Sequence, residues 1–142
     1  MTENIEFQYY DNIPESIPFE IDGTKMDVKV VNDAFNALDE VMSGNIVARY
    51  EMGNSMEPLL YSGEYAVLVP KDKTTIEAGD AVFCEVGGVL MTHMIHIIKV
   101  IDGKTQYLIG NSFNGMTPTV MYGWTTNIFA KAFSTKHIQN EM

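Results

Sequence analysis

The segment Gly53-Asn54-Ser55-Met56-Glu57-Pro58 holds the residues best suited to covalent chemistry in this chain. A glycine two positions before a serine lets the backbone turn sharply, which can expose the hydroxyl and direct nearby N–H groups towards an oxyanion. The same pattern occurs in ordinary turns, where a serine hydroxyl caps local backbone groups. The segment therefore fits either a reactive serine, Ser55, or a purely structural turn.

The order of three short motifs adds to this pattern. Gly-x-Ser-Met-x-Pro at 53–58 is followed by Gly63-Glu64 and then by Gly79-Asp80, which precedes a β-rich stretch. This order resembles the catalytic domain that signal peptidases and LexA-type self-cleaving repressors share, over roughly residues 45–133. The resemblance implies a mainly β fold of coiled antiparallel sheets and an extended peptide substrate with small residues beside the cut. It also implies that Ser55 is the nucleophile, with its own N–H and the backbone near Gly53 as the oxyanion hole.

A histidine lies on the next long β-rich stretch, where this superfamily carries its general base. Thr92-His93 resembles the Thr-His-Arg of the endoplasmic-reticulum and spore-forming-bacterium type of signal peptidase, in which histidine replaces lysine. The resemblance implies that His93 accepts the serine proton, and the ordinary pKa of histidine is already near neutrality. A hydrogen-bonded structural histidine is the alternative. Strand alternation places His96 on the opposite face, and Lys99 on the face of His93 but about 20 Å away.

An aspartate orients the histidine in the His-type members of this superfamily, and this sequence lacks it. Residues 104–134 contain no aspartate or glutamate, and the later motif reads Gly110-Asn111-Ser112 where many members have Gly-Asp-Asn. A carboxylate would fix the imidazole tautomer and stabilise the imidazolium. Asn111 or Ser112 is the candidate to orient His93 instead, through a hydrogen bond without charge.

Methionine is abundant, with 10 in the chain, and several methionines lie in the segments that carry the motifs. Met56, Met91 and Met94 are candidates to line an apolar groove for an extended peptide, because the thioether adapts to varied apolar partners. Adaptable core packing is the alternative. Met94 also stands where the histidine-type signal peptidases usually have arginine.

Residues 1–44 read as an acidic N-terminal extension, and residues 45–142 as the domain that carries the motifs. Within the extension, Asp22-Gly23 predicts a tight hairpin, and the apolar spacing predicts one amphipathic helix over 33–43. The predicted apolar face of this helix consists of Phe35, Leu38, Val41 and Met42. Residues 1–50 carry ten acids against three bases. This surface is either a solvated face or a docking site for a protein partner.

Short β-rich stretches separated by glycine turns fill much of the chain. Gly87-Gly88 and Asp102-Gly103 predict two further hairpins. Residues 5–10 predict a first short strand, and residues 125–133 predict a last one. Many short strands with one helix are typical of a mainly β domain of the α+β kind.

The composition excludes several classes of function. The 142 residues carry a formal net charge of −10 and a pI of about 4.5, which argues against a nucleic-acid-binding surface. No apolar run approaches the roughly 20 residues of a membrane-spanning helix, and the acidic N-terminus is unlike a signal peptide. We therefore expect a cytoplasmic protein without a membrane anchor, and the single Cys84 fits a reducing compartment.

The spacing of Cys84, His93 and His96 is unlike a zinc site, so we expect neither a metal nor another cofactor.

Two functions remain from the sequence. The first is a soluble serine endopeptidase-like domain in which Ser55 attacks and His93 accepts the proton. The second is a catalytically silent member of the same superfamily, kept as a structural or protein-binding module, for example in a phage or mobile element. Residues 1–44 have neither the basic DNA-binding helices nor the Ala-Gly or Cys-Gly cleavage site of the repressors, so repressor function is not expected.

Overall fold

Nine strands form one sheet in the part of the chain that the structure describes. The computed structural model describes residues 13–50, 56–57, 59–60, 63–112 and 119–135. The predicted strand at 5–10 lies outside these residues. The described elements are β1 (Ser16–Ile21), β2 (Thr24–Val30), α1 (Ala34–Met42), β3 (Val47–Tyr50), β4 (Tyr65–Pro70), a 3₁₀ turn (Lys71–Lys73), β5 (Ala81–Val86), β6 (Val89–Ile101), β7 (Lys104–Gly110), β8 (Met121–Thr125) and β9 (Ile128–Ser134).

The strands follow the order β1-β2-β3-β4-β9-β5-β6-β7-β8 from one edge of the sheet to the other. Neighbours pair antiparallel, except that β2 and β3 run parallel. The near-continuous apolar runs of β4 and β5 lie on either side of the central strand β9, where both faces of the sheet are covered. The prediction of a mainly β fold is confirmed. No helix in the described ranges is long and apolar enough to cross a lipid bilayer.

The predicted hairpin turns are confirmed. Asp22-Gly23 joins β1 to β2 with φ angles of 50° and 79°, and Asp102-Gly103 joins β6 to β7 with 53° and 75°. Gly87-Gly88 joins β5 to β6 in the same way. Two successive positive φ angles match the right-handed twist of the flanking strands, which explains why Asp-Gly and Gly-Gly stand at these positions.

The predicted helix is confirmed as α1, with ends close to the predicted ones. The Asp33 side chain accepts a hydrogen bond from the Asn36 N–H at 2.9 Å and so caps the first turn. Gly44 follows the last turn with a φ of 88°, a conformation that glycine adopts without strain.

The predicted apolar face of α1 is partly wrong. Ala37 and Val41 are the buried residues of the helix, and Leu38 packs beside them. Phe35 and Met42 are 72% and 67% exposed. The helix α1 packs on β3, β4 and β9. The stripe of α1 that this contact buries is narrower than the stripe of apolar residues that the sequence contains.

The sheet and the core extend across the predicted boundary at residue 44. Lys29 and Val30 of β2 pair with Val47 and Ala48 of β3, so the N-terminal hairpin continues the same sheet. The helix α1 packs into a core that also contains residues of β4, β5, β6 and β9. Residues 13–44 therefore fold together with the rest of the described chain.

Three buried clusters lie on the two faces of this sheet. The helix-side core lies between α1 and the sheet. The hairpin core lies at the β1 end of the sheet and consists of Ile17, Phe19, Val28, Ala48, Val67 and Val69. The β5–β7 core lies on the face of the sheet opposite to α1, towards the β8 end. The helix-side core consists of Ala37, Val41, Val47, Met56, Leu60, Ala66, Leu68, Ala81, Phe83, Met94, Ala130 and Ala132. The β5–β7 core consists of Val82, Cys84, Val86, Ile95, Ile109 and Ile128.

The predicted last strand is confirmed as β9, but it begins at Ile128, because Thr125 belongs to β8 and the end of β8 is hydrogen-bonded to β5. The Thr125 hydroxyl donates to the Glu85 carbonyl at 2.6 Å, and the Glu85 N–H donates to the Asn127 carbonyl at 3.0 Å. The Asn127 N–H donates in turn to the Thr125 hydroxyl oxygen at 2.9 Å. These bonds turn the chain at 126–127, so that β8 and β9 pair with different neighbours.

Candidate functional site

The proposed nucleophile segment is only partly described. Gly53 and Ser55 lie outside the described residues, so their roles remain predictions. Met56, the next residue, is buried in the helix-side core, and its carbonyl accepts hydrogen bonds from the N–H groups of Leu59 and Leu60. The residue directly after Ser55 is thus fixed in a tight turn on the core.

His93 lies on β6, directly opposite Val82 of β5. Side chains alternate along a strand, so His93 shares a face with Met91 and Ile95, which contact the β5–β7 core. Met94 points to the other face and joins the helix-side core. The proposed base therefore lies on the face opposite to that of its neighbour Met94.

The imidazole of His93 is partly buried and lacks a polar partner for one nitrogen. Its Nδ1 is buried and makes no hydrogen bond with any residue that the structure describes. Burial lowers the pKa of His93 below its ordinary value, because the charged form loses hydration. No ion pair with a carboxylate opposes this effect among the described residues. The lowered pKa favours the neutral imidazole at pH 7, which is the form that a general base requires.

The aromatic ring of Tyr122 covers the imidazole of His93. The two ring centroids lie 4.4 Å apart, with an angle of 33° between the ring planes. Sequence reasoning did not find Tyr122, because the contact depends on the pairing of β8 far along the chain. Among the described residues, Tyr122 is the aromatic residue whose ring contacts the imidazole of His93.

The Gly79-Asp80 turn is hydrogen-bonded to β6 at Ile95, two residues after His93. The Gly79 N–H donates to the Ile95 carbonyl at 2.7 Å, and the Ile95 N–H donates to the Asp80 carbonyl at 2.9 Å. The Asp80 carboxylate accepts from the Glu77 N–H at 2.8 Å and pairs with the Lys131 ammonium at 3.3 Å. This motif is thus a structural clamp two residues from His93.

Asn111 makes its observed hydrogen bonds with β8-side backbone and with His96. Its side-chain oxygen accepts from the Val120 N–H at 2.8 Å, and its N–H donates to the Val120 carbonyl at 3.0 Å. Its carbonyl lies 2.7 Å from His96 Nε2, which must carry the proton because a carbonyl can only accept. Ser112 is buried nearby. No hydrogen bond joins Asn111 or Ser112 to His93 among the described residues, so their orienting role has no such support.

The three methionines of the predicted groove do not line one surface. Met56 and Met94 are buried in the helix-side core. Met91 packs against the β5–β7 core on the other face of the sheet. The interval of three residues between Met91 and Met94 explains this separation, because residues an odd number apart point to opposite faces of a strand. The structure therefore assigns them to packing.

A bulge at His96 makes the predicted orientation of Lys99 wrong. Ile95 pairs with Ile109, whereas Ile97 pairs with Leu108, so His96 is an extra residue in β6. Beyond the bulge, Ile98 rather than Lys99 packs against the β5–β7 core. The Lys99 ammonium instead lies 5.6 Å from the centroid of the Trp124 ring. A one-residue insertion reverses the faces of every later side chain in the strand.

Cys84 is an inert core residue. It is buried in the β5–β7 core, as expected for a small strand residue, and burial raises the pKa of its thiol to about 12. A thiol with such a pKa is a poor nucleophile at neutral pH. Among the described residues, no three side chains of His, Cys, Asp or Glu are grouped so that they could hold a metal ion.

Gly110 is expected to tolerate no side chain. A Cβ there would lie 2.6 Å from the Val120 carbonyl oxygen, 2.8 Å from Met121 Sδ and 2.9 Å from His96 Nε2. We expect Gly110→Ala to lower the free energy of unfolding in urea by about 3 kcal/mol, at the upper end of overpacking effects. Gly88→Ala is the control: its φ of 85° is unfavourable, but no atom lies within 4 Å of the added Cβ. Equal stabilities of Gly110→Ala and wild type would contradict this packing.

The stability of the protein should depend on pH through His93. Its pKa is lowered in the folded state, so below about pH 6.5 the unfolded state binds a proton that the folded state resists. The free energy of unfolding is therefore expected to fall as the pH drops from 6.5 towards the folded-state pKa. His93→Gln removes this contribution, so its urea midpoint should change less with pH between about 5 and 8. Parallel pH profiles would contradict the burial of His93.

Comparison with known proteins gives no match to a family model, to a curated protein or to a solved structure.

Proposed function

We propose that this chain is a serine endopeptidase-like domain of the signal peptidase and LexA type, with Ser55 as nucleophile and His93 as general base. The observation that carries the proposal is that polar side-chain atoms of both Thr92 and His93 are buried without hydrogen-bond partners among the described residues. These atoms are Thr92 Oγ1 and His93 Nδ1, and Arg49 Nε and Ser134 Oγ elsewhere in the fold are buried without a partner in the same way. Buried polar atoms are nearly always paired, and exceptions need an explanation such as a catalytic role.

The packing of two methionines brings the chain segment after Ser55 close to β6, although the His93 side chain lies on the opposite face of that strand. Met56 directly follows the proposed nucleophile, and Met94 directly follows the proposed base. Both methionines belong to the helix-side core. The two chain segments therefore meet in one part of the molecule, although they are separated by almost forty residues of sequence.

The proposed reaction is acyl transfer through a covalent intermediate. The Ser55 hydroxyl oxygen attacks the peptide carbonyl carbon, and His93 takes the hydroxyl proton and passes it to the leaving amine. The N–H of Ser55, together with backbone near Gly53, stabilises the negative oxygen of the tetrahedral intermediate. Water then attacks the acyl-enzyme; His93 accepts the proton of the water and gives it to the Ser55 oxygen as the ester bond breaks, which releases the acid and restores the serine hydroxyl. The resemblance to signal peptidases suggests an extended peptide with small residues beside the cut.

Cleavage of a diverse peptide library, read by mass spectrometry, tests this proposal. Wild type, Ser55→Ala and His93→Ala would be incubated side by side between about pH 6 and 9. We expect cuts by wild type beside small residues, and loss of the same cuts in both variants. Cuts that persist in Ser55→Ala would contradict the proposal, because they would need another nucleophile.

A catalytically silent binding module is the second candidate function. The observation that favours it is that no carboxylate of the described residues pairs with His93, so nothing charged would stabilise an imidazolium. In that case the acidic N-terminal region would bind a basic protein partner. Equal absence of cuts with all three proteins would favour this second candidate over the first.

A further inference from the structure

The contact between Tyr122 and His93 is produced by an irregularity of the backbone. Ile109 pairs with Gly123, whereas Gly110 pairs with Met121, so Tyr122 is an extra residue in β8. Such a bulge turns a side chain away from the regular alternation, and bulges are frequent beside active sites. Here the redirected side chain is the one whose ring lies 4.4 Å from the imidazole centroid.

The residue after Tyr122 is suited to this irregular backbone. Gly123 has a φ of 141°, which side-chain-bearing residues rarely adopt. A Cβ on Gly123 would also lie 3.2 Å from Val86 Cγ1 of β5, so the close approach of β8 to β5 favours glycine. The bulge is therefore supported by a matching glycine and by the packing of β8 on β5, which together fix the direction of Tyr122.

Within the described ranges, the other residues around His93 offer it no charged partner. Val82 faces it from β5, and Cys84, on the same face of β5, has a pKa of about 12 and is neutral. Lys131 of β9 flanks Val82 on its other side, but its ammonium pairs with the Asp80 carboxylate at 3.3 Å. The His96 ring donates to the Asn111 carbonyl. Among the described residues, the group seen in ring contact with the imidazole is therefore the phenol ring of Tyr122.

We propose that Tyr122 is a positioning residue for His93, and that its ring holds the imidazole plane in the orientation in which the base receives the serine proton. Stacking replaces the hydrogen bond that a carboxylate would supply. The contact also covers the imidazole on its solvent side, since Tyr122 is 40% exposed while His93 Nδ1 is buried. Aromatic packing of this kind restricts a ring without needing a charge. This inference rests on the proposed function.

Three variants distinguish the effect of the Tyr122 ring from that of its hydroxyl and from a general disturbance of β8. Tyr122→Ala removes the ring, and Tyr122→Phe keeps it. Trp124→Ala is the matched control, because Trp124 lies on the same strand, is 43% exposed and contacts Lys99. Each protein would be studied in two ways: the pKa of His93 by NMR titration of its imidazole protons, and the rate at which a fluorophosphonate probe labels Ser55.

We expect Tyr122→Ala to move the pKa of His93 upwards, towards the ordinary value of about 6.5, because water then reaches the ring. The labelling rate of Ser55 should fall about 10- to 100-fold, as expected for a displaced catalytic group. Tyr122→Phe and Trp124→Ala should match wild type in both measurements. Rates and pKa values in Tyr122→Ala that equal those of Trp124→Ala would overturn the proposal, and so would a Tyr122→Phe variant as impaired as Tyr122→Ala.

The two measurements also separate this inference from the proposed function. The titration of His93 does not depend on activity, so it tests the contact with Tyr122 even if Ser55 is unreactive. A shifted His93 pKa in Tyr122→Ala, with no labelling of Ser55 in wild type, would contradict the serine peptidase and with it the catalytic purpose of the contact. An unshifted pKa with normal labelling of wild type would overturn the role of Tyr122 alone.

Discussion

Replacement of Ser55 with alanine is expected to abolish peptide cleavage. Without the hydroxyl no acyl-enzyme can form, and the proposed base has no serine proton to accept. Serine enzymes that lose the nucleophile retain only the contribution of the oxyanion hole and of substrate binding. We therefore expect kcat/KM to fall by roughly 10⁴-fold or more, with peptide binding retained. The measurement is the cleavage rate of the best peptide from the library.

A second serine controls for general effects of the substitution. Ser16 is exposed on β1, at the far edge of the sheet from β6. Ser16→Ala should therefore cleave the same peptide at the wild-type rate. If Ser55→Ala were as active as Ser16→Ala, the proposed nucleophile would be wrong.

Replacement of His93 with glutamine is expected to lower kcat/KM by about 10²- to 10⁴-fold, the usual contribution of a positioned general base. Glutamine has a similar polar character but cannot accept and release a proton at neutral pH. The wild-type rate should rise with pH as His93 loses its proton, and because burial lowers the His93 pKa the midpoint of this rise should lie below about pH 6.5. The residual activity of His93→Gln should lack this step.

The neighbouring histidine is the matched control for this prediction. His96 lies on the same strand, and its Nε2–H donates to the Asn111 carbonyl at 2.7 Å. His96→Gln should lower stability through the loss of this bond while the pH dependence of cleavage stays that of wild type. A pH step that disappears in His96→Gln and persists in His93→Gln would assign the base to His96 instead.

The local parts of the fold could be predicted from the sequence. Asp22-Gly23 and Asp102-Gly103 were sufficient to predict hairpins, because the positive φ angles of a tight turn depend on these residues themselves. The helix predicted over 33–43 followed from the apolar spacing, with Asn32 or Asp33 as the candidate cap, and the structure has it at 34–42 with Asp33 as the cap. Neither prediction needed information about distant parts of the chain.

The site depended on features that local patterns do not contain. The bulges at His96 and Tyr122 arise from pairings between strands, and each reverses or redirects the side chains that follow. Regular alternation therefore gave the wrong face for Lys99 and gave no reason to consider Tyr122. The insertion of β9 between β4 and β5 is likewise a long-range pairing, which no short segment of sequence determines.

The distance between the Ser55 hydroxyl oxygen and the nearer nitrogen of His93 tests the central claim most directly. It should be measured in a crystal structure of the wild-type protein at a pH near 7, where the lowered pKa favours the neutral form of His93. A serine that gives its proton to this histidine requires a distance of about 3.2 Å, or a single water that bridges the two groups. A separation beyond about 6 Å, too long for one bridging water, would contradict the proposed pair.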